Sequence, residues 1–114
     1  MRRIRRSVPI VLAFSVLLGA GPAESPVADA AKKGDGEAVR ALLRAGADVN
    51  AAQGDGMSAL HWAAERGDRA LIDVLVYAGA DLRATTRIGA YTPLHIASRS
   101  GHVDAVAGLL VRGA

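Results

Sequence analysis

Three histidines are the residues best suited to acid–base or metal chemistry in this 114-residue chain, and their spacing favours neither. His95 and His102 lie seven residues apart with Asp104 nearby, but a predicted helix break separates them, and a metal needs several ligands converging on one point. His61 follows Ser58 by three residues, without an acid at any triad spacing. Ser98 and Ser100 have neither base nor acid at a recognisable interval. Gly54-Asp55-Gly56 resembles a piece of a phosphate or calcium loop, yet the further ligands and the lysine of such loops are missing, so it reads as a turn. Asp29, Asp35, Asp68 and Asp104 read as solvated or helix-capping carboxylates. The sequence holds no cysteine, which excludes disulfides, thiolate zinc sites, a cysteine nucleophile and a lipid anchor on cysteine. The expectation is a chain with no catalytic, cofactor-binding or metal site, and not an enzyme.

The elements around these residues repeat. Gly34, Gly67 and Gly101 are 33 and 34 residues apart, and Gly46-Ala47, Gly79-Ala80 and Gly113-Ala114 keep the same intervals. Such a period is the mark of a repeat architecture. In each copy a short helix is predicted to start behind Ser25, Ser58 or Thr92, whose hydroxyl can accept from a free backbone N–H. Pro26 and Pro93 suit the first helical position, and the glycine at the end suits a left-handed cap. A second helix follows. Val39, Ile72 and Val106, then Leu42, Leu75 and Leu109, then Leu43, Val76 and Leu110, occupy equivalent places and give each helix one apolar stripe. The Gly-Ala pair ends it, and Asp48-Val49-Asn50 or Asp81-Leu82-Arg83 leads into a turn or short hairpin.

Thr92-Pro93-Leu94-His95-Ile96-Ala97 and Gly46-Ala47-Asp48-Val49-Asn50 make the pattern resemble the ankyrin repeat, over residues 25–114. The resemblance implies an all-α solenoid of helix-turn-helix units with short hairpin or turn connections. It also implies that His61 and His95 tie the helix cap to a neighbouring loop. The copies depart from the pattern in places. Val27-Ala28 replaces Leu-His in the first, as in a terminal capping repeat. Ser58-Ala59 replaces Thr-Pro in the second. Arg83 stands where Asn is usual. The third copy has one extra residue around Arg87-Ile88-Gly89-Ala90, so its turn should project further. One helix pair cannot shelter its own apolar face, and about three is the practical minimum. With no polar repeat after Ala114, Leu109 and Leu110 are expected to have an uncovered side, as in a fragment, a marginally stable domain, or a protein continued by more repeats or a catalytic domain.

Residues 1–23 differ in kind. Arg2, Arg3, Arg5 and Arg6 precede an uncharged apolar run, Val8 to Leu18, and then Gly19-Ala20-Gly21-Pro22-Ala23. This is the layout of a secretory signal, and the run is shorter than the ~20 residues of a membrane-spanning helix. Cleavage is expected after Ala23, with Ala20 or a retained anchor as alternatives. The chain thus divides into a signal peptide over 1–23 and a repeat domain over 24–114, with repeats at about 25–51, 52–84 and 85–114, the last incomplete. Removing four of fourteen basic residues leaves ten against eleven acidic ones, a net charge of −1 instead of +3. A near-neutral domain without a basic patch argues against nucleic acid, and no membrane association is expected after cleavage.

The resemblance implies a protein partner, held by hairpin tips and the exposed side of the first helix. Mapped onto this chain, that surface comprises Asp55, Met57, Glu65 and Arg66 in the second repeat and Ile88, Tyr91, Arg99 and Ser100 in the third. Trp62 is expected in the core. The reading is an exported, periplasmic or secreted protein-interaction module or scaffold. Alternatives are a regulatory or targeting segment of a longer enzyme, or a secreted host-directed effector.

Overall fold

The computed structural model describes residues 25–114, so the expected signal peptide over residues 1–23 lies outside the described residues. Among the described residues six helices form three antiparallel pairs: α1 (Pro26–Lys33) with α2 (Gly36–Arg44), α3 (Ala59–Arg66) with α4 (Arg69–Tyr77), and α5 (Pro93–Arg99) with α6 (Val103–Val111). The first helices α1, α3 and α5 stack closely on one another. The connections between pairs are turns; among the described residues there is no strand. Among the described residues no helix is long and apolar enough to cross a membrane.

The helices stop where the glycines recur. Gly67, at φ +70°, turns left-handed after α3 and donates to Ala64 O, while Asp68 N–H reaches back to Ala63 O. These paired bonds satisfy carbonyls that the last helical turn leaves open. The same pair closes every one of the six helices, around Gly34, Gly46, Gly67, Gly79, Gly101 and Gly113. Asp68 then caps the next helix, accepting from Leu71 N–H at 3.0 Å, and Asp35 does the same for Ala38. In the first two pairs one aspartate therefore ends one helix and starts the next, which fixes the angle within the pair.

The helix starts follow the expectation twice out of three. Ser58 and Thr92 accept from the N–H of His61 and His95. Ser25 stands at the N-cap of α1 but makes no side-chain capping bond. Its φ of −137° and ψ of 62° differ from the extended cap geometry of Ser58 and Thr92, and its copy has Ala28 where they have a histidine to lock the cap.

The core runs through the stack. Val27, Leu60, Val39, Ile72, Leu75, Ile96 and Leu109 are buried. Ala31, Ala63, Ala64 and Ala97 let the first helices approach closely. Each fully buried leucine contributes about 1.5–3 kcal/mol, so the second repeat, covered on both sides, holds the structure. The expectation for Leu109 is corrected: it is fully buried, whereas Leu110 is 52% exposed. Neighbouring residues on a helix point about 100° apart, so Leu109 turns into the stack while Leu110 turns away. Trp62 is half-buried rather than enclosed. Its ring packs against the core, its indole N–H donates to Gln53 Oε1 at 2.9 Å, and Lys32 Nζ lies 5.2 Å from its centroid.

Candidate protein-binding surface

The turns leading into α3 and α5 are closed by equivalent hydrogen bonds, Gln53 N–H to Met57 O and Thr86 N–H to Tyr91 O, both 3.0 Å. The first encloses Gly54 to Gly56; the second encloses the extra residue too, Arg87 to Ala90. The two loops lie against each other. Arg87 N–H donates to Asp55 O at 3.0 Å and its guanidinium to Gly54 O at 2.9 Å. Gly56 makes this approach possible: a Cβ there would sit 2.8 Å from Arg87 N. The Gly-Asp-Gly stretch is therefore a turn whose glycine admits a neighbouring backbone, and Asp55 Oδ1 accepts from Met57 N–H at 2.9 Å.

Tyr91 is held firmly. Thr86 Oγ1 accepts from its N–H at 3.0 Å and donates to Ile88 O at 2.9 Å. The ring lies over Gly89, where a Cβ would come within 2.4 Å of it. Arg99 stacks its guanidinium 4.8 Å from the ring centroid, and His95 meets the ring edge-on at 6.1 Å. Tyr91 is nevertheless 40% exposed, and Ile88 nearby 85%.

These groups surround one open groove of ≈ 430 Å³. It brings together Asp55, Met57, Ile88, Tyr91 and Arg99. Glu65, Arg66 and Ser100 do not line it. Arg66 reaches across Gly34 to donate to Lys32 O at 3.2 Å, the carbonyl of Glu65 accepts from His102 Nε2–H at 3.0 Å, and Ser100 caps α5. Thr86, Arg87 and Ile96 also line the groove, and Gly89 sets the ring. The sequence places Arg87 and Gly89 in the longer turn but not on the candidate surface, and does not single out Thr86 or Ile96. The signal for Ile96 was its register with Trp62; the others depend on loop-to-loop geometry that spacing does not encode.

The histidines divide by burial. His61 is fully buried between the second and third repeats. Its Nδ1 accepts from Ser58 N–H at 3.1 Å, so the ring proton sits on Nε2, which donates to Tyr91 O at 2.9 Å. The cap of one repeat is thereby tied to the groove loop of the next. Burial holds the His61 pKa below the ordinary histidine value, because removing the imidazolium from water disfavours the charged form. His95 repeats the cap, with Nδ1 accepting from Thr92 N–H at 3.2 Å, but the residue is exposed. His102 takes the place of Asp35 and Asp68. It makes no side-chain cap for α6 and spends its ring on Glu65 O. Among the described residues no group of three His, Asp or Glu side chains is placed to hold a metal ion.

A family model for ankyrin repeats in three copies matches residues 17–114. The chain belongs to the ankyrin-repeat family. The match begins eight residues before Ser25, within the stretch whose composition reads as an export signal. Ankyrin repeats are protein–protein interaction modules, and the helix pairs, caps and turns described above are this chain's version of them. No curated protein matches the chain.

Proposed function

We propose that this ankyrin-repeat protein acts outside the cytoplasm as a protein-binding module or scaffold without catalysis of its own, and that it binds through the groove between its two loops. The observation that carries this reading is Tyr91: an exposed aromatic ring fixed by Gly89, Arg99 and His95, with Met57 and Ile88 at its side. Aromatic and arginine side chains that are ordered before binding lose little entropy on association and make good anchors. The ring-on-guanidinium pair presents a flat apolar face with a positive edge, suited to a protein surface rather than to a small molecule, because the groove is open.

Export rests on the arginines at 2, 3, 5 and 6 and the apolar run behind them. Two measurements test the reading. Affinity capture from the exported fraction should recover a partner with the wild-type domain, and Tyr91→Ala with Arg99→Ala should weaken it by about 2 kcal/mol or more, ~30-fold in Kd. Capture that is indifferent to both substitutions rules out this surface. Mass spectrometry of the exported chain should find an N-terminus near Glu24; an intact chain confined to the cytoplasm rules out export.

A further inference from the structure

The outer side of the stack is uneven. The second helices α4 and α6 pack against one another, whereas α2 and α4 make little direct contact. At the α4–α6 joint Gly108 carries no side chain, and the Arg69 stem lies where its Cβ would be, 2.5 Å away. The equivalent position on α4 is Val74. Between α2 and α4 a second groove of ≈ 460 Å³ stays open, lined by Arg40, Leu43, Arg44, Val74, Tyr77 and Ala78.

Its charge is uneven too. Arg69 and Arg112 both pair with Asp73, at 3.5 and 3.2 Å. Arg40 and Arg44, one turn apart on α2, form no ion pair among the described residues, and Glu37, a turn before Arg40, is not bridged to it. No carboxylate lines the groove. Tyr77 stands at its edge, 89% exposed, the most exposed of the large apolar side chains. Glu37 shares the adjoining cleft with both arginines but does not enter the groove. Two guanidiniums without an ion pair among the described residues, beside an apolar floor and an aromatic ring, form a positive, partly apolar cleft. Guanidiniums bind carboxylates in pairs, and the ring and Leu43 offer cover for an apolar side chain.

We propose that this outer groove is a second docking surface, independent of the inner one, and that it takes an acidic protein segment whose carboxylates meet Arg40 and Arg44 while an aliphatic or aromatic residue rests on Tyr77 and Leu43. Two faces with different partners make the protein a bridge rather than a single-sided clamp.

The test uses the whole chain and a fluorescein-labelled peptide, Glu-Glu-Leu-Phe-Glu-Glu, with Lys-Lys-Leu-Phe-Lys-Lys as its control, read by fluorescence anisotropy. The acidic peptide should bind saturably and the basic one should not. Arg40→Glu with Arg44→Glu, and separately Tyr77→Ser, should each weaken binding tenfold or more, and Tyr91→Ala should leave it unchanged. These side chains are exposed, so helicity by circular dichroism should match the wild type and separate a lost contact from a lost fold. The proposal is overturned if the acidic peptide does not saturate, if both peptides bind alike, or if Tyr91→Ala abolishes binding while the outer variants do not. Binding of phosphatidylglycerol vesicles through Arg40 and Arg44 without binding of the peptide also overturns it, by making the face a lipid surface.

Discussion

His61 and His95 occupy the same place in successive repeats and make the same bonds to their own caps, so replacing each by alanine isolates what a neighbouring repeat adds. In His61→Ala the Nε2 bond to Tyr91 O is lost, at about 1 kcal/mol. Ser58 N–H, buried with its residue 3% exposed, loses its acceptor, at about 1–3 kcal/mol for an unsatisfied buried donor. The vacated ring volume between repeats adds a cavity cost. The sum is roughly 3–5 kcal/mol. In His95→Ala the capping bonds are lost from an exposed residue, where water replaces the acceptor, and the cost is about 0.5–1.5 kcal/mol. Urea unfolding followed by circular dichroism at 222 nm, with the slope checked for constancy, gives both values. A difference of about 2 kcal/mol or more is expected. Equal losses would refute the reasoning, because they would mean that the bond across the repeat boundary and the burial of His61 count for nothing.

Three further expectations concern the same joints. The depressed His61 pKa means that the folded state binds fewer protons than the unfolded one; stability from this group is complete above about pH 6.5 and declines as pH falls below it, by up to ~1.4 kcal/mol per unit, and the decline should vanish in His61→Gln when melts are compared between pH 7 and 5. Gly56→Ala places a Cβ 2.8 Å from backbone at φ +86°, and should cost about 1–3 kcal/mol. Gly46→Ala, at φ +91° with open space around it, should cost only the conformational part, about 1 kcal/mol, in the same denaturation assay. Asn50 donates to Gly79 O at 3.1 Å and accepts from Asp81 N–H at 2.7 Å across a repeat boundary; Asn50→Ala should cost about 1–2 kcal/mol, whereas Arg83→Ala, at the equivalent exposed position, should stay within about 0.5 kcal/mol.

What was legible in the sequence is what repeats locally. The N-caps at Ser58 and Thr92, the proline starts and the glycine stops each express a preference of one or two residues, and three copies in register reinforce it. The stacking followed, because an apolar stripe such as Val39-Leu42-Leu43 has no other way to leave water. What escaped is carried by contacts between copies. Asn50, Gln53 and His102 each reach into a neighbouring repeat, and their targets are set by the rise and twist from pair to pair, which spacing does not give. Gln53 shows this well: it links Asp29, at 2.7 Å, to Trp62, and its polar ends explain why that ring stays at the surface. The groove was half legible. Met57 and Tyr91 precede helix caps where no core needs them, but the gathering of Arg87, Gly89 and Ile96 around them depends on the one-residue insertion and its left-handed Gly89 and Ala90.

The central claim is that the two loops and the inner helices form a groove that grips a protein. A photo-crosslinking amino acid placed at Ile88, in the groove, and in a second protein at Val103, exposed on α6 and lining neither groove, tests it most directly. Irradiation of the protein in the cells that produce it should give a discrete adduct of higher mass from Ile88 and not from Val103. No adduct from Ile88, or the same adducts from both positions, would contradict the account.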